Sequence, residues 1–168
     1  MLVSVTNDLA TDQRVKKVCN SLQSLDYDIL LIGRILPDSL SLSRPYEVLR
    51  MKLLFTKGAY FYAEYNIRLF LVLLFSRVDI YHSNDLDTLL ANFLASKIRR
   101  KPLVYDSHEY FTGVPEIQNK PLVKAVWQNI ERWIFPKLNY VFTVNKSIAN
   151  LYKSEYSKSL RIMRSNKY

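Results

Sequence analysis

Two short segments concentrate the groups able to move a proton or grip a hydroxyl: His82-Ser83-Asn84-Asp85 and Asp106-Ser107-His108-Glu109. They contain both histidines of the chain, each within three positions of a carboxylate. A neutral imidazole fixed at one nitrogen by a carboxylate can donate from the other to a ligand hydroxyl. His108 is the sharpest candidate for that role, with Asp106 or Glu109 as the fixing partner; the competing reading is a histidine that only satisfies its own loop. Glu109 either orients His108 or binds a hydroxyl itself, unless it is simply a solvated loop carboxylate. His82, at a strand end, reads as a buried structural histidine or as a cleft residue. Further polar groups stand at Thr6-Asn7-Asp8, Arg34 and Asn145.

Other chemistries are excluded by what is missing. Three glycines, Gly33, Gly58 and Gly113, cannot supply a GxGxxG fingerprint or a Walker loop, both of which need several glycines close together. One cysteine, Cys19, forms no internal disulfide, and with two histidines no Cys/His zinc set can be assembled. A reducing, cytoplasmic setting suits such a chain. Its 24 Lys and Arg against 15 acids give +9, which predicts an anionic partner or surface without naming it. The most apolar run, residues 69–75, is far short of the about 20 residues a transmembrane helix needs.

The elements that must position these groups alternate. Leu2-Val-Ser-Val5 reads as a strand, and Val15, Val18, Cys19, Leu22 and Leu25 mark one face of a helix opened by Thr11 or Asp12. A continuous apolar run at 28–32, closed by Gly33, predicts a strand covered on both faces. A loop at 34–45 and a third strand at 46–55 follow. Then come a helix at 59–75, a strand at 78–82, a helix at 86–98, a strand at 102–106, a helix at 120–135, a strand at 140–144, a helix at 146–156 and a last strand at 160–163. In the helix at 120–135, Trp127, Ile130, Trp133 and Ile134 read as core rather than as a platform on which a ligand stacks. The 168 residues suit one domain, a doubly wound three-layer α/β/α fold with a mainly parallel, Rossmann-like sheet.

Ligands of open α/β sheets bind outside the carboxyl ends of the strands. That rule gathers Asn7, Asp8, Arg34, Asn84, Asp85, His108, Glu109 and Asn145 on one rim. The alternative is that Asn, Asp and Ser at such places cap helices, which is the favoured reading for Thr11, Asp87 and Ser147.

The segments Val5-Thr-Asn-Asp-Leu-Ala-Thr-Asp-Gln-Arg-Val15, Asp79-Ile-Tyr-His-Ser-Asn-Asp-Leu-Asp-Thr-Leu89 and Leu103-Val-Tyr-Asp-Ser-His-Glu-Tyr-Phe111 resemble, in the right order, the amino-terminal half of retaining glycosyltransferases of family 4. The resemblance implies a GT-B architecture, in which a first Rossmann-like domain mainly binds the acceptor and a second mainly the nucleotide-sugar donor. It implies residues 1–163 as the acceptor-binding domain and 164–168 as the start of the interdomain linker, with Asn166 resembling the asparagine before it. The family's donor-site glutamates stand eight positions apart, and no two of Glu47, Glu64, Glu109, Glu116, Glu131 and Glu155 do. The donor half is therefore expected outside this sequence, and the chain alone is expected to be inactive.

By resemblance His108 stands where the family's active-site histidine contacts the donor hexose, and is the catalytic candidate. Substrate binding is implied for Asn7, Asp8, Arg14, Asn84, Asp85, Glu109 and Asn145. Arg14 either reaches an anionic acceptor or pairs with Asp12. Many relatives carry glycine in the loop of Asn7 and Asp8, and its absence here weakens the case for a backbone phosphate cradle. The family implies a hexosyl transfer from a nucleotide sugar to a glycan or lipid-linked acceptor in polysaccharide biosynthesis, with no metal and no cofactor. The apolar stretch 60–75, bordered by Arg50, Lys52, Lys57, Arg68 and Arg77, suggests peripheral contact with an anionic membrane at its inner face, against the plainer reading of a helix that covers the sheet. Rival readings are a basic nucleic-acid-binding module and a non-catalytic subunit that pairs with a separate donor-domain chain. Against the first, the basic residues are scattered and no RNP, KH or helix-turn-helix signature occurs.

Overall fold

The computed structural model describes residues 1–113, 120–157 and 161–162, the last pair by backbone alone. Seven strands, β1 (Leu2–Asp8), β2 (Leu30–Ile35), β3 (Glu47–Lys52), β4 (Tyr81–Asn84), β5 (Leu103–Ser107), β6 (Tyr140–Thr143) and β7 (Arg161–Ile162), form one sheet. Their order is β3-β2-β1-β4-β5-β6-β7, and every neighbouring pair is parallel. The fold is a Rossmann-like α/β domain, as the alternation of elements predicts. The expected linker at 164–168 and Asn166 lie outside the described residues.

Among the described residues five α-helices cover the sheet: α1 (Gln13–Gln23), α2 (Gly58–Phe75), α3 (Leu86–Arg99), α4 (Pro121–Ile134) and α5 (Lys146–Tyr156). Because side chains alternate along a strand, β1 and β2 send Val3, Val5 and Leu31 to a smaller cluster with Val15 and Cys19 of α1. Leu2 and Ile32 join the larger cluster on the other face, with Phe61, Tyr65, Leu69 and Leu73 of α2, Leu86 and Leu89 of α3, and Trp127 and Ile134 of α4. Burial pushes the Cys19 thiol up to about 11, so it serves as a small core residue. Gly33 is required by close packing, since a Cβ there would stand 2.4 Å from Leu9 Cδ2.

Two boundaries and one burial differ from expectation. The third strand stops at Lys52 because the amides of Leu54 and Phe55 turn to the Glu64 carboxylate, at 2.9–3.0 Å. The fourth strand is displaced to Tyr81–Asn84, so Ser83 and Asn84 lie inside the sheet. Ser83 Oγ meets Thr88 Oγ1 at 2.7 Å, and Asn84 Nδ2 donates to the Ser4 carbonyl at 3.0 Å, while Asn84 Oδ1 has no partner among the described residues. Trp133, expected in the core, is 47% exposed beneath the Lys137 ammonium, while Trp127 and Ile134 are buried.

Candidate functional site

The sheet reverses its winding between β1 and β4, and in such folds the crevice beyond the carboxyl ends of those two strands is the place for a ligand. A cavity of about 470 Å³ lies there, lined among others by Thr6, Asn7, Arg14, Arg34, Asp85, Asp87 and Glu109.

Asp85 is its hub. It follows β4 directly with φ 60° and ψ 172°, a backbone region that residues other than glycine scarcely visit and that costs of order 1–3 kcal/mol. The surroundings hold it there. Its amide donates to the Asp106 carbonyl at 2.9 Å, and its carboxylate accepts from the His108 amide at 2.9 Å and from Arg14 Nη2 at 2.7 Å. Arg14 therefore pairs with Asp85, 71 positions away, and not with Asp12. Asp12 caps α1 through the Val15 amide and accepts from Asn7 Nδ2 at 2.9 Å.

His108 lies beneath this hub, its side chain 4% exposed. Nε2 stands 3.2 Å from Asp106 Oδ2, and Nδ1 stands 3.6 Å from Asp85 Oδ1, beyond hydrogen-bond distance. Burial opposes its protonation, but the facing carboxylates of Asp106 and Asp85 prevail and raise its pKa to about 9. A value of about 9 favours the imidazolium between the two carboxylates, where the sequence reading expects a neutral ring. Asp106, fully buried, is held below the usual carboxylate range, since the facing rings of His108 and His82 outweigh its burial. His82 is buried within β4, its Nε2 3.7 Å from Asp106 Oδ2, and does not end its strand at the rim. Charges thus alternate from Arg14 through Asp85 and His108 to Asp106.

The other candidates are distributed differently. Asn7 is exposed and lines the cavity. Asp8, half-buried, accepts from Arg50 Nη2 at 3.0 Å, from the Ala10 amide at 3.1 Å and from Ser39, and is held low by these bonds against the opposing effect of burial. Asn84 does not face the cleft: it is wholly buried, committed to the Ser4 carbonyl. Glu109 is exposed at the cavity edge. Asn145 caps α5, its Oδ1 accepting from the Ile148 amide at 2.9 Å, which is the helix-capping role.

Asp87 is the residue the sequence reading misplaced. Its carboxyl is buried in the cavity wall against the Thr6 hydroxyl. Burial first, and the charge of Asp85 second, raise its pKa to about 7. Asp-Leu-Asp at a strand-to-helix junction was the available signal, but only the fold shows Thr6 across from it. Among the described residues no group of three His, Cys, Asp or Glu could hold a metal ion.

No curated protein matches the chain by sequence. Among solved structures it is similar to a sucrose-phosphate synthase from Thermosynechococcus elongatus, with TM-score 0.67 and 9% identity over 98% of this chain and 87% of that one. It is also similar to the UDP-GlcNAc 2-epimerase of Methanocaldococcus jannaschii, with TM-score 0.54 and 15% identity over 97% of this chain. The chain spans 44% of the epimerase. At such identities the likeness concerns the fold, which is that of one GT-B domain. The model of Glycosyltransferase Family 4 matches residues 12–162, a span that contains the hub, the imidazolium and the capped helices around them, and the chain belongs to that family.

Proposed function

We propose that this chain is the acceptor-binding domain of a retaining glycosyltransferase that moves a hexosyl group from a nucleotide sugar to a glycan or lipid-linked acceptor. The observation that carries this reading is the strained Asp85, gripped by Arg14 and His108 at the crevice where the sheet reverses. Strain persists only where its surroundings over-determine it, and such positions cluster at functional sites. Asn7, Arg14, Asp85 and Glu109 supply hydrogen-bonding groups for acceptor hydroxyls around the cavity. His108 Nδ1, without an acceptor in range, is assigned to the donor hexose. As an imidazolium it adds positive charge where a diphosphate leaving group gathers negative charge. Most donor contacts, and the remaining charge neutralisation, fall to a donor-binding half that the family resemblance implies.

A peripheral membrane role belongs to the same reading. Tyr60, Ile67, Leu71 and Phe75 form an exposed apolar stripe along α2, beside exposed Leu54 and Phe55 and the cations Lys52, Lys57 and Arg77. Such a mixture suits the surface of an anionic bilayer, where each cation contributes about 1 kcal/mol. No helix among the described residues is long and apolar enough to cross a membrane.

The test is transfer itself. Joined to a donor-binding domain, the chain is expected to transfer sugar with the anomeric configuration retained, followed by NMR of the product. Alone, it is expected to show no transfer and only weak nucleotide-sugar binding by calorimetry. Submicromolar binding of a nucleotide sugar by this chain alone would refute the division of labour.

A further inference from the structure

The cavity beyond β1 and β4 is lined by groups of opposite character. On its wall α2, an 18-residue helix, begins without a side-chain cap and without an acidic residue in its first turn. Its uncompensated amides carry the positive end of the helix dipole. Gly58 opens the helix at φ 78°, where a Cβ would meet nothing within 4 Å, so glycine serves the backbone conformation there and not the packing. Arg34 is fixed over this helix end: its guanidinium lies 4.7 Å above the Phe61 ring, and Nη1 donates to the Thr56 carbonyl at 3.1 Å. Neither Arg34 nor Lys57 has a carboxylate within ion-pair distance among the described residues, and Arg34 Nε is buried without a partner.

The same cavity is lined by Asp87, 7% exposed. Thr6 occupies one of its carboxyl oxygens, and Oδ1 has no hydrogen-bond partner. An unmatched buried carboxyl oxygen calls for a donor, and a ligand hydroxyl supplies one.

We propose that this cavity binds the phosphate ester of a polyhydroxylated group, with the phosphate on the first-turn amides of α2, Arg34 and Lys57, and a hydroxyl on Asp87. Helix amides and two cations without acidic partners suit a multiply charged anion, and about 470 Å³ accommodates a monosaccharide phosphate. The inference rests on the reading of this crevice as the acceptor side and adds the acceptor's chemical class. Its test is binding, without transfer, so the two can fail separately.

The chain is titrated with glucose, inorganic phosphate and glucose 6-phosphate, with amide NMR shifts as readout. Glucose 6-phosphate is expected to perturb Lys57, Gly58, Thr6 and Asp87 and to bind about tenfold tighter than phosphate, while glucose does not saturate. Arg34→Gln and, at the exposed flank, Lys57→Gln are expected to weaken both phosphate probes about tenfold each, and Asp87→Asn to weaken only glucose 6-phosphate. The same chemistry on a lipid headgroup is separated by vesicles with and without phosphatidylglycerol. Arg34-dependent binding to the vesicles, without binding of glucose 6-phosphate, would keep the site and make its source a lipid. Equal binding of glucose and its phosphate, insensitivity to Arg34→Gln and Lys57→Gln, or shifts elsewhere on the chain would overturn the proposal.

Discussion

Replacing His108 by glutamine removes the one cation between Asp85 and Asp106 while keeping an amide able to donate to either. The ring's pKa rises from 6.5 to about 9 in the folded chain. A group whose folded value lies above its unfolded value stabilises fully below the unfolded value, and the contribution is lost as pH rises through the folded one. At 1.36 kcal/mol per pH unit the coupling is about 3 kcal/mol, present at pH 6 and almost gone at pH 9. Burial of the ring, 4% exposed, spares it most solvent screening. The assay is urea unfolding followed by the fluorescence of Trp127 and Trp133, on the parent chain and on His108→Gln, at intervals from pH 6 to 9. Groups remote from His108 titrate alike in both proteins and cancel in the difference. The parent is expected to lead by about 3 kcal/mol at pH 6 and to converge on the variant by pH 9. A lead that stays constant across that range would refute the imidazolium and restore the neutral ring. The same experiment bears on catalysis: loss of this donor is expected to lower turnover roughly 10²–10³-fold in an enzyme carrying both domains, once rates are compared at equal folded fraction.

Asp87→Asn has the opposite sign of benefit. The folded pKa of Asp87, about 7, lies above its ordinary 3.8, so wild-type stability falls as pH rises between them, and the asparagine variant is expected to be more stable by about 2–4 kcal/mol at pH 8, with the gap closing towards pH 4 in thermal melts. Gly33→Ala drives a Cβ to 2.4 Å from Leu9 Cδ2, for an expected loss of about 1–3 kcal/mol, and in a double-mutant cycle Leu9→Ala is expected to absorb most of it; strict additivity would mean that the clash is relieved elsewhere. Serine at Tyr60, Ile67 and Phe75 together is expected to reduce sedimentation with anionic vesicles without changing the circular dichroism spectrum, and unchanged sedimentation would remove α2 from any membrane surface.

The order of elements was legible because each buried strand of a parallel sheet is a short apolar run between helical periods, as at residues 28–32. The rim was legible for the same reason, since the rule for open sheets needs only strand ends. What escaped was polar burial. Ser83 and Asn84 look like loop residues until Ser4, Thr88 and Asn92 are brought around them, and nothing local announces that. Asp87 escaped because an acid in a first helical turn is favourable at a surface, and its burial depends on Thr6, 81 positions away. The charge of His108 escaped likewise: Asp106 was in view beside it, but the position of Asp85 required the positive φ of its backbone.

The central place of β1 also governs how the chain can reach its folded state. β1 is made first, yet one of its two flanking strands is β4, about eighty residues later. Until Tyr81–Asn84 is available, this interior strand has an open edge of unpaired amides and carbonyls, which is the template on which chains associate wrongly. A nascent chain interrupted within α2 would present that edge, and parallel pairing over such separations is slow. Substitutions in β4 should therefore show their effect in soluble yield from the cell before they show it in the melting temperature of whatever folds.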